Sequence, residues 1–176
     1  MPLPPDVTTI LSDADLDRLR TAFRVGATGD TPAAVAKHAD ANFGTVAESV
    51  LLARFPPAGQ YVRSIGDYFY DDDTELASRN RERVVIATLL SHANDGGYYL
   101  CLHLYWALMV GLSVKQVAWT IVLTSAYSGI DRYTMGMTLL GDVLGVLKGQ
   151  LASGDESAIA PLTVVGQIGS TFAARH

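Results

Sequence analysis

Apolar residues recur at helical spacing along most of the chain, and no stretch alternates apolar and polar residues with the period of a strand. A clear example begins at Ser12, which forms a capping box with Asp15 and is followed by Leu16, Leu19 and Phe23 at intervals of three and four residues. The pattern predicts an all-α protein.

Glycine, proline and serine mark the limits of the later helices. A helix is expected from Pro32 to about residue 54, and another at 60–73 that ends in an acidic turn. The segment "LASRNRERVVIATLLSHAND" predicts a helix capped by Ser78, with an apolar face from Val84 to Leu90.

Three further features complete the helical prediction. Gly111 is expected just past the end of "GGYYLCLHLYWALMVG", and Ser113 with Gln116 predicts a second capping box. The glycines of the segment at 130–151 indicate close contacts between helices.

The length of 176 residues suits one domain with a hydrophobic core. Within it we expect an N-terminal tail and helices at 1–59, a helical core at 60–150, and a C-terminal tail at 151–176. The C-terminal tail is expected to be loosely structured or wrapped over a neighbouring subunit.

Composition excludes several classes of function. The net charge of −5, with no basic stripe, argues against nucleic-acid binding. The single cysteine excludes an intramolecular disulfide and a multi-cysteine zinc site, and no other metal site is expected. The N-terminus lacks the pattern of a signal peptide, and the longest apolar run is below the roughly 18–20 residues needed to span a bilayer. A cytoplasmic protein without membrane contact is therefore expected.

The stretch "GGYYLCLHLYWAL" at 96–108 is the most suggestive for chemistry. It holds His103 in a run of leucines and aromatic residues. An imidazole accepts and donates protons near neutral pH, so His103 is a candidate acid–base group. A hydrogen-bonded histidine in the core is the alternative interpretation.

Three motifs, in this order and spacing, resemble the carboxymuconolactone decarboxylase family, which also contains the alkyl-hydroperoxidase D-type proteins. The segment 76–87 is similar to the family's opening helix with its Arg-x-Arg-Glu motif, 100–117 to its histidine helix and glycine turn, and 125–129 to its Tyr-x-Gly corner. The likeness extends over roughly residues 60–147. It implies an alkyl-hydroperoxidase D-like all-α subunit that assembles as a homo-oligomer, a trimer or a hexamer, with a pocket near the subunit contacts.

The chain departs from the peroxidase members of that family. Those members carry a CxxC pair before the histidine, and the corresponding positions here are Gly96 and Tyr99. Cys101 precedes His103 by two residues, about 200° around a helix, so it is expected to face away from the histidine. A dithiol peroxidase needs two thiols, and the resemblance therefore favours the decarboxylase branch.

The resemblance implies catalytic roles for three residues. His103 would transfer a proton at carbon. Glu82 would orient His103, although a surface carboxylate paired with a neighbouring arginine is the alternative. Tyr99 lies one turn before His103 and would donate a hydrogen bond to a developing enolate, or would simply pack.

Substrate binding is assigned to Arg132, His92 and Tyr127. Arg132 suits a substrate carboxylate, although an ion pair with Asp131 is the alternative. His92 lies near the helix junction or faces a loop, and Tyr127 belongs to the corner motif.

The expected function is that of a cofactor-free lyase or isomerase acting on a small carboxylated lactone or an enolisable ring. Two alternatives remain: a hydroperoxidase-like antioxidant protein that uses Cys101 alone, which requires an exposed thiol, and a non-catalytic oligomeric binding protein.

Overall fold

The computed structural model describes residues 6–25, 78–92 and 97–173, and every regular element in these ranges is helical, as predicted. The α-helices of these ranges are α1 (Asp13–Arg24), α2 (Ser78–His92), α3 (Gly97–Met109), α4 (Val114–Ser128), α5 (Ile130–Ala152) and α6 (Pro161–Ala173). Short 3-10 segments at Val7–Thr9 and Glu156–Ile159 precede α1 and α6. The helices predicted at 32–54 and 60–73 lie outside the described residues.

Helix α3 forms the centre of the core. Nine of its 13 residues are buried, and it packs against α1, α2, α4, α5 and α6. A helix that is apolar on all sides is stable only when neighbours cover it on all sides. The sequence of α3 therefore requires the arrangement of the other helices around it.

Helix α3 ends in a Schellman motif, as the glycine at its end predicts. The amide of Leu112 donates to the carbonyl of Ala107 at 2.9 Å, and the amide of Gly111 donates to Leu108 at 3.2 Å. Gly111 adopts a φ of +100°, which side chains with a Cβ rarely tolerate.

Two arginines from other helices complete this terminus. Arg20 of α1 donates to the carbonyls of Leu108 and Leu112, both at 3.0 Å, and Arg79 of α2 donates to Val110 at 3.2 Å. The cations donate to carbonyls at the end of the helix, where its dipole is negative, and the Leu108 carbonyl thereby accepts from Arg20 as well as from Gly111. The end of α3 thereby fixes the positions of α1 and α2.

Both predicted capping boxes are present. The Ser12 hydroxyl accepts from the amide of Asp15 at 3.2 Å, and the Asp15 carboxylate accepts from the Ser12 amide at 2.9 Å. Ser113 and Gln116 make the same reciprocal pair at the start of α4.

Residues 161–173 form a helix, so the expectation of a loose structure is wrong for this part of the C-terminal tail. Helix α6 begins at Pro161, where the missing amide hydrogen costs nothing, and its buried residues Val164, Val165 and Ile168 face the core. It packs on α3 and α5 of its own chain. Its apolar residues therefore cover this helix pair.

Val84 also differs from prediction, because its side chain is exposed. Helix α2 turns Glu82, Ile86 and Leu90 inward, and Val84 lies two residues, or about 200°, from Glu82 and from Ile86. The apolar run in α2 is thus divided between the core and the surface.

The glycines of α5 play two different roles. A Cβ at Gly136 would lie 2.7 Å from Ile121 of α4, which confirms the predicted close contact there. At Gly145 and Gly149 no described residue lies within 4 Å of a Cβ. The prediction of close helix contacts is therefore wrong for these two glycines.

We expect opposite effects from two glycine substitutions. Gly111→Ala should lower the free energy of unfolding by at least about 1 kcal/mol, because the residue has a positive φ and a Cβ would lie 2.7 Å from the Arg79 guanidinium. Gly149→Ala should raise it by about 0.5–1 kcal/mol, because it improves helix propensity in open space. Urea denaturation measures both, and a stabilising Gly111→Ala would contradict the assignment.

A second prediction concerns acid stability. Hydrogen bonds from the amide and hydroxyl of Ser12 lower the pKa of Asp15 below its ordinary 3.8. The box therefore stabilises α1 above that value, and its contribution is lost as the pH falls through the lowered pKa of the folded state. Wild type should lose more stability than Asp15→Asn on acidification below about pH 4. Identical pH dependence of unfolding in the two proteins would contradict this account.

Candidate functional site

The buried face of α2 carries a carboxylate. Glu82 shares this face with Ile86 and Leu90, at intervals of four residues, and all three are 0% exposed. Helical periodicity alone therefore directs the Glu82 side chain into the protein interior. A carboxylate without solvent is costly unless it is paired.

His103 of α3 supplies the partner. Its Nδ1 lies 3.0 Å from Oε2 of Glu82, and its side chain keeps 17% of its surface exposed. The ring thus connects a solvent-free carboxylate with a solvent-accessible edge.

The partner's chemistry determines the histidine tautomer. An ionised carboxylate only accepts hydrogen bonds, so Nδ1 of His103 carries the proton and donates it to Glu82. In the neutral ring Nε2 is then left with a lone pair. This is the arrangement of a base whose orientation a carboxylate fixes.

Trp106 fixes the plane of the imidazole. It lies three residues after His103 on the same helix, and the two rings are stacked, with centroids 5.9 Å apart and planes 3° apart. Trp106 was not predicted from the sequence, although residues three positions apart on a helix are neighbours and this interval could have identified it.

Arg81 is the second residue that sequence reasoning passed over. It is buried beside Glu82 in the chain, and within the described ranges it is one of three buried polar or charged residues, with Glu82 and Ser125. An arginine side chain is seldom buried unless a charged or polar group is paired with it. Its position next to Glu82 in the Arg-x-Arg-Glu motif could have identified Arg81 as a candidate from the sequence.

Tyr99 and His92, also predicted as site residues, lie at different distances from the Glu82–His103 pair. Tyr99 is 38% exposed and lies one turn before His103 on the same face of α3. His92 is exposed in the last turn of α2, where its Nδ1 lies 2.9 Å from the carbonyl of Thr88. Ten residues of helix separate His92 from Glu82, about 15 Å.

Tyr127 and Arg132, the other two predicted substrate-binding residues, lie on either side of the α4–α5 corner. Tyr127 is 89% exposed in the last turn of α4, and it points to solvent. Arg132 lies in the first turn of α5, half-buried, with its amide donating to Gly129 at 3.1 Å. The structure thus brings Glu82 and His103 together, keeps Tyr99 nearby along α3, and places His92 and Tyr127 on the surface.

Cys101 lies on the other side of α3, as its spacing from His103 predicts. It is 3% exposed and borders a groove of about 330 Å³ between α3, α5 and α6, whose walls include Met135, Leu139 and Phe172. A buried thiol in apolar surroundings is poorly placed to react as a thiolate.

No group of three or more histidine, cysteine, aspartate or glutamate side chains within the described ranges has the arrangement of a metal site. The acidic turn at 70–73 lies outside those ranges. None of the described helices is long and apolar enough to cross a membrane.

Comparison of the chain with family models, with curated proteins and with solved structures finds no match.

The tautomer assignment is directly testable. In ¹⁵N NMR at alkaline pH, His103 should show a proton on Nδ1 and a lone pair on Nε2. Glu82→Gln should populate the other tautomer, because an amide both accepts and donates hydrogen bonds. The Nδ1 of His92 donates to a backbone carbonyl and serves as the unchanged reference in both proteins. A proton on Nε2 of His103 in the wild type would contradict the assignment.

Proposed function

We propose that the protein is a lyase or isomerase that moves a proton at a carbon atom of a small carboxylated lactone or enolisable ring, using His103 and Glu82. The observation that supports this most strongly is the 3.0 Å hydrogen bond between a carboxylate with no solvent exposure and an imidazole with one accessible edge. The resemblance to carboxymuconolactone decarboxylases in the sequence supports the same chemistry.

The presence of a buried carboxylate at this position supports a function for it. Replacing a buried ionic pair with apolar residues is often neutral or stabilising. The Glu82 side chain shares its helix face with Ile86 and Leu90, where an apolar residue would pack. A role for the pair beyond stability explains why this position is not apolar.

In the isomerase form of the reaction, Nε2 of His103 removes a proton next to a carbonyl group, and the electron pair of the broken C–H bond moves into the ring as an enolate. The imidazolium that forms is stabilised by the Glu82 carboxylate at Nδ1. Return of the same proton at another carbon completes the isomerisation and restores the neutral ring.

In the decarboxylase form, the bond between the ring carbon and the substrate carboxylate breaks, and CO₂ leaves. The electron pair remains on the conjugated ring as a dienolate. Nε2 of His103, which has first taken up a proton from water, delivers that proton to carbon and returns to the neutral ring, and Glu82 again orients the ring. Both forms need a group that stabilises the enolate oxygen, which we assign to Tyr99 or to Arg132.

The antioxidant alternative receives less support. It depends on an accessible Cys101, whereas the thiol is 3% exposed. We therefore assign no thiol chemistry to the protein. The homo-oligomer, trimer or hexamer, that the sequence resemblance implies belongs to the present proposal.

The decisive variant is His103→Gln. The glutamine amide can still donate a hydrogen bond to Glu82 but transfers no proton, so folding is preserved while turnover falls by roughly 10²- to 10⁴-fold. The assay measures CO₂ release and deuterium incorporation from solvent over a panel of small carboxylated lactones and enolisable ring ketones.

Glu156→Gln is the matched control, because this exposed carboxylate pairs with Arg18 on the surface and its loss should leave turnover unchanged. Wild-type turnover that survives in His103→Gln contradicts the proposal. So does a wild type that neither releases CO₂ nor exchanges deuterium with any member of the panel.

A further inference from the structure

Helix α4 has an apolar face that points to solvent. Its inner face packs through Val117 and Ile121, as in an ordinary surface helix. On the opposite side and at the corner that follows, four large apolar side chains are 61% to 89% exposed: Trp119, Leu123, Tyr127 and Ile130. We call these four residues the α4 outer face. A surface helix normally presents polar residues there, so α4 has the composition of a helix covered on both sides.

The spacing of the outer face defines a ridge. Trp119, Leu123 and Tyr127 follow one another at intervals of four residues, and Lys115 continues the same row one turn earlier. Rows at this interval run obliquely across a helix and interdigitate with the same row of another helix at an angle of about −50°. The ridge is therefore suited to packing against a second helical ridge.

The charges at its two ends are opposite. Lys115 is exposed at the start of α4, and Asp131 is exposed in the first turn of α5, just past the corner. Leu123 is eight residues from each of them, and it is four residues from both Trp119 and Tyr127. In the sequence, the order of residues is thus symmetric about Leu123, with an aromatic residue four positions away and a charged residue eight positions away on either side.

We propose that the α4 outer face binds the same face of a second copy of this chain across a two-fold axis passing near Leu123. The antiparallel arrangement places Trp119 against the partner's Tyr127. It also brings Lys115 to the partner's Asp131, twice by symmetry. A parallel arrangement would bring like charges together at both ends.

The exposed area is adequate for such a contact. Fully covered aromatic side chains bury roughly 150–250 Å² each, so the four side chains offer on the order of 500 Å² per copy. A pair then buries about 1,000 Å² in total, the size at which specific interfaces begin. The contact is therefore expected to be reversible and dependent on concentration.

This inference goes beyond the proposed function, because it specifies the symmetry of association. A two-fold contact occurs in dimers and in hexamers built from two trimers face to face, but a plain cyclic trimer has none. It also gives Tyr127 a role between subunits in place of the substrate-binding role expected from the sequence.

The first experiment is sedimentation velocity of the full chain over a series of concentrations. Leu123→Arg places two cations at the two-fold axis and should weaken the association by about 30-fold or more, as for a central interface residue. Leu162→Arg is the matched control, since Leu162 is an exposed leucine on α6, and it should leave the association unchanged.

The second experiment tests the antiparallel register. Lys115→Glu and Asp131→Lys should each weaken the association at low salt, roughly two- to fivefold per ion pair. The double variant restores opposite charges and should recover wild-type association. The differences should diminish in 1 M NaCl, at which screening extends over only about 3 Å.

Three outcomes would overturn the inference. The chain could be monomeric at the highest concentration. It could associate with equal affinity in wild type and Leu123→Arg, which would place the contact elsewhere. The double charge variant could remain as weak as the single variants, which would exclude the antiparallel two-fold arrangement. None of these outcomes depends on catalytic turnover.

Discussion

The burial of α3 is the constraint on which the described part of the structure depends. A helix that is apolar all round needs cover on every side, and the surrounding helices provide it. Arg20 and Arg79 attach α1 and α2 to the carbonyls at its end, so the register of α2 against α3 is set by hydrogen bonds as well as by packing. That register brings Glu82 opposite His103. The candidate site is therefore a consequence of how the central helix is covered and terminated.

The Glu82–His103 pair is a polar contact within a largely apolar core, whose described part also buries Arg81 and Ser125. Its carboxylate has no solvent and its imidazole has little, so each depends on the other for a favourable environment. Trp106 lies parallel to the ring, and the proposed chemistry uses its Nε2. Such fixed orientation favours proton transfer, because little reorganisation is needed when charge develops. Cys101, on the opposite side of α3, belongs to a separate environment between α5 and α6.

Helices α3 and α4 make an instructive contrast. Both have large apolar side chains on opposite sides, but the described residues cover only α3 all round. The outer face of α4 is therefore an exposed apolar surface, and the proposed contact with a second copy would cover it. Tyr127 shows the difference between sequence and structure most clearly. The corner motif predicted that Tyr127 binds the substrate. Its exposure in the structure instead favours the proposed contact between two subunits.

Patterns among neighbouring residues were enough to predict the all-helical class, the boxes at Ser12 and Ser113, and the glycine termination at Gly111. These depend on local hydrogen bonds and allowed φ values, which a few adjacent residues decide. The packing of the helices was needed to show that Val84 faces outward, that residues 161–173 form a helix on α3 and α5, and that a Cβ at Gly136, but not at Gly149, would meet a described residue. It also decided that Trp106 covers the His103 ring. Each of these depends on which helix packs against which, and residues distant in the chain set that packing, so no local pattern encodes it.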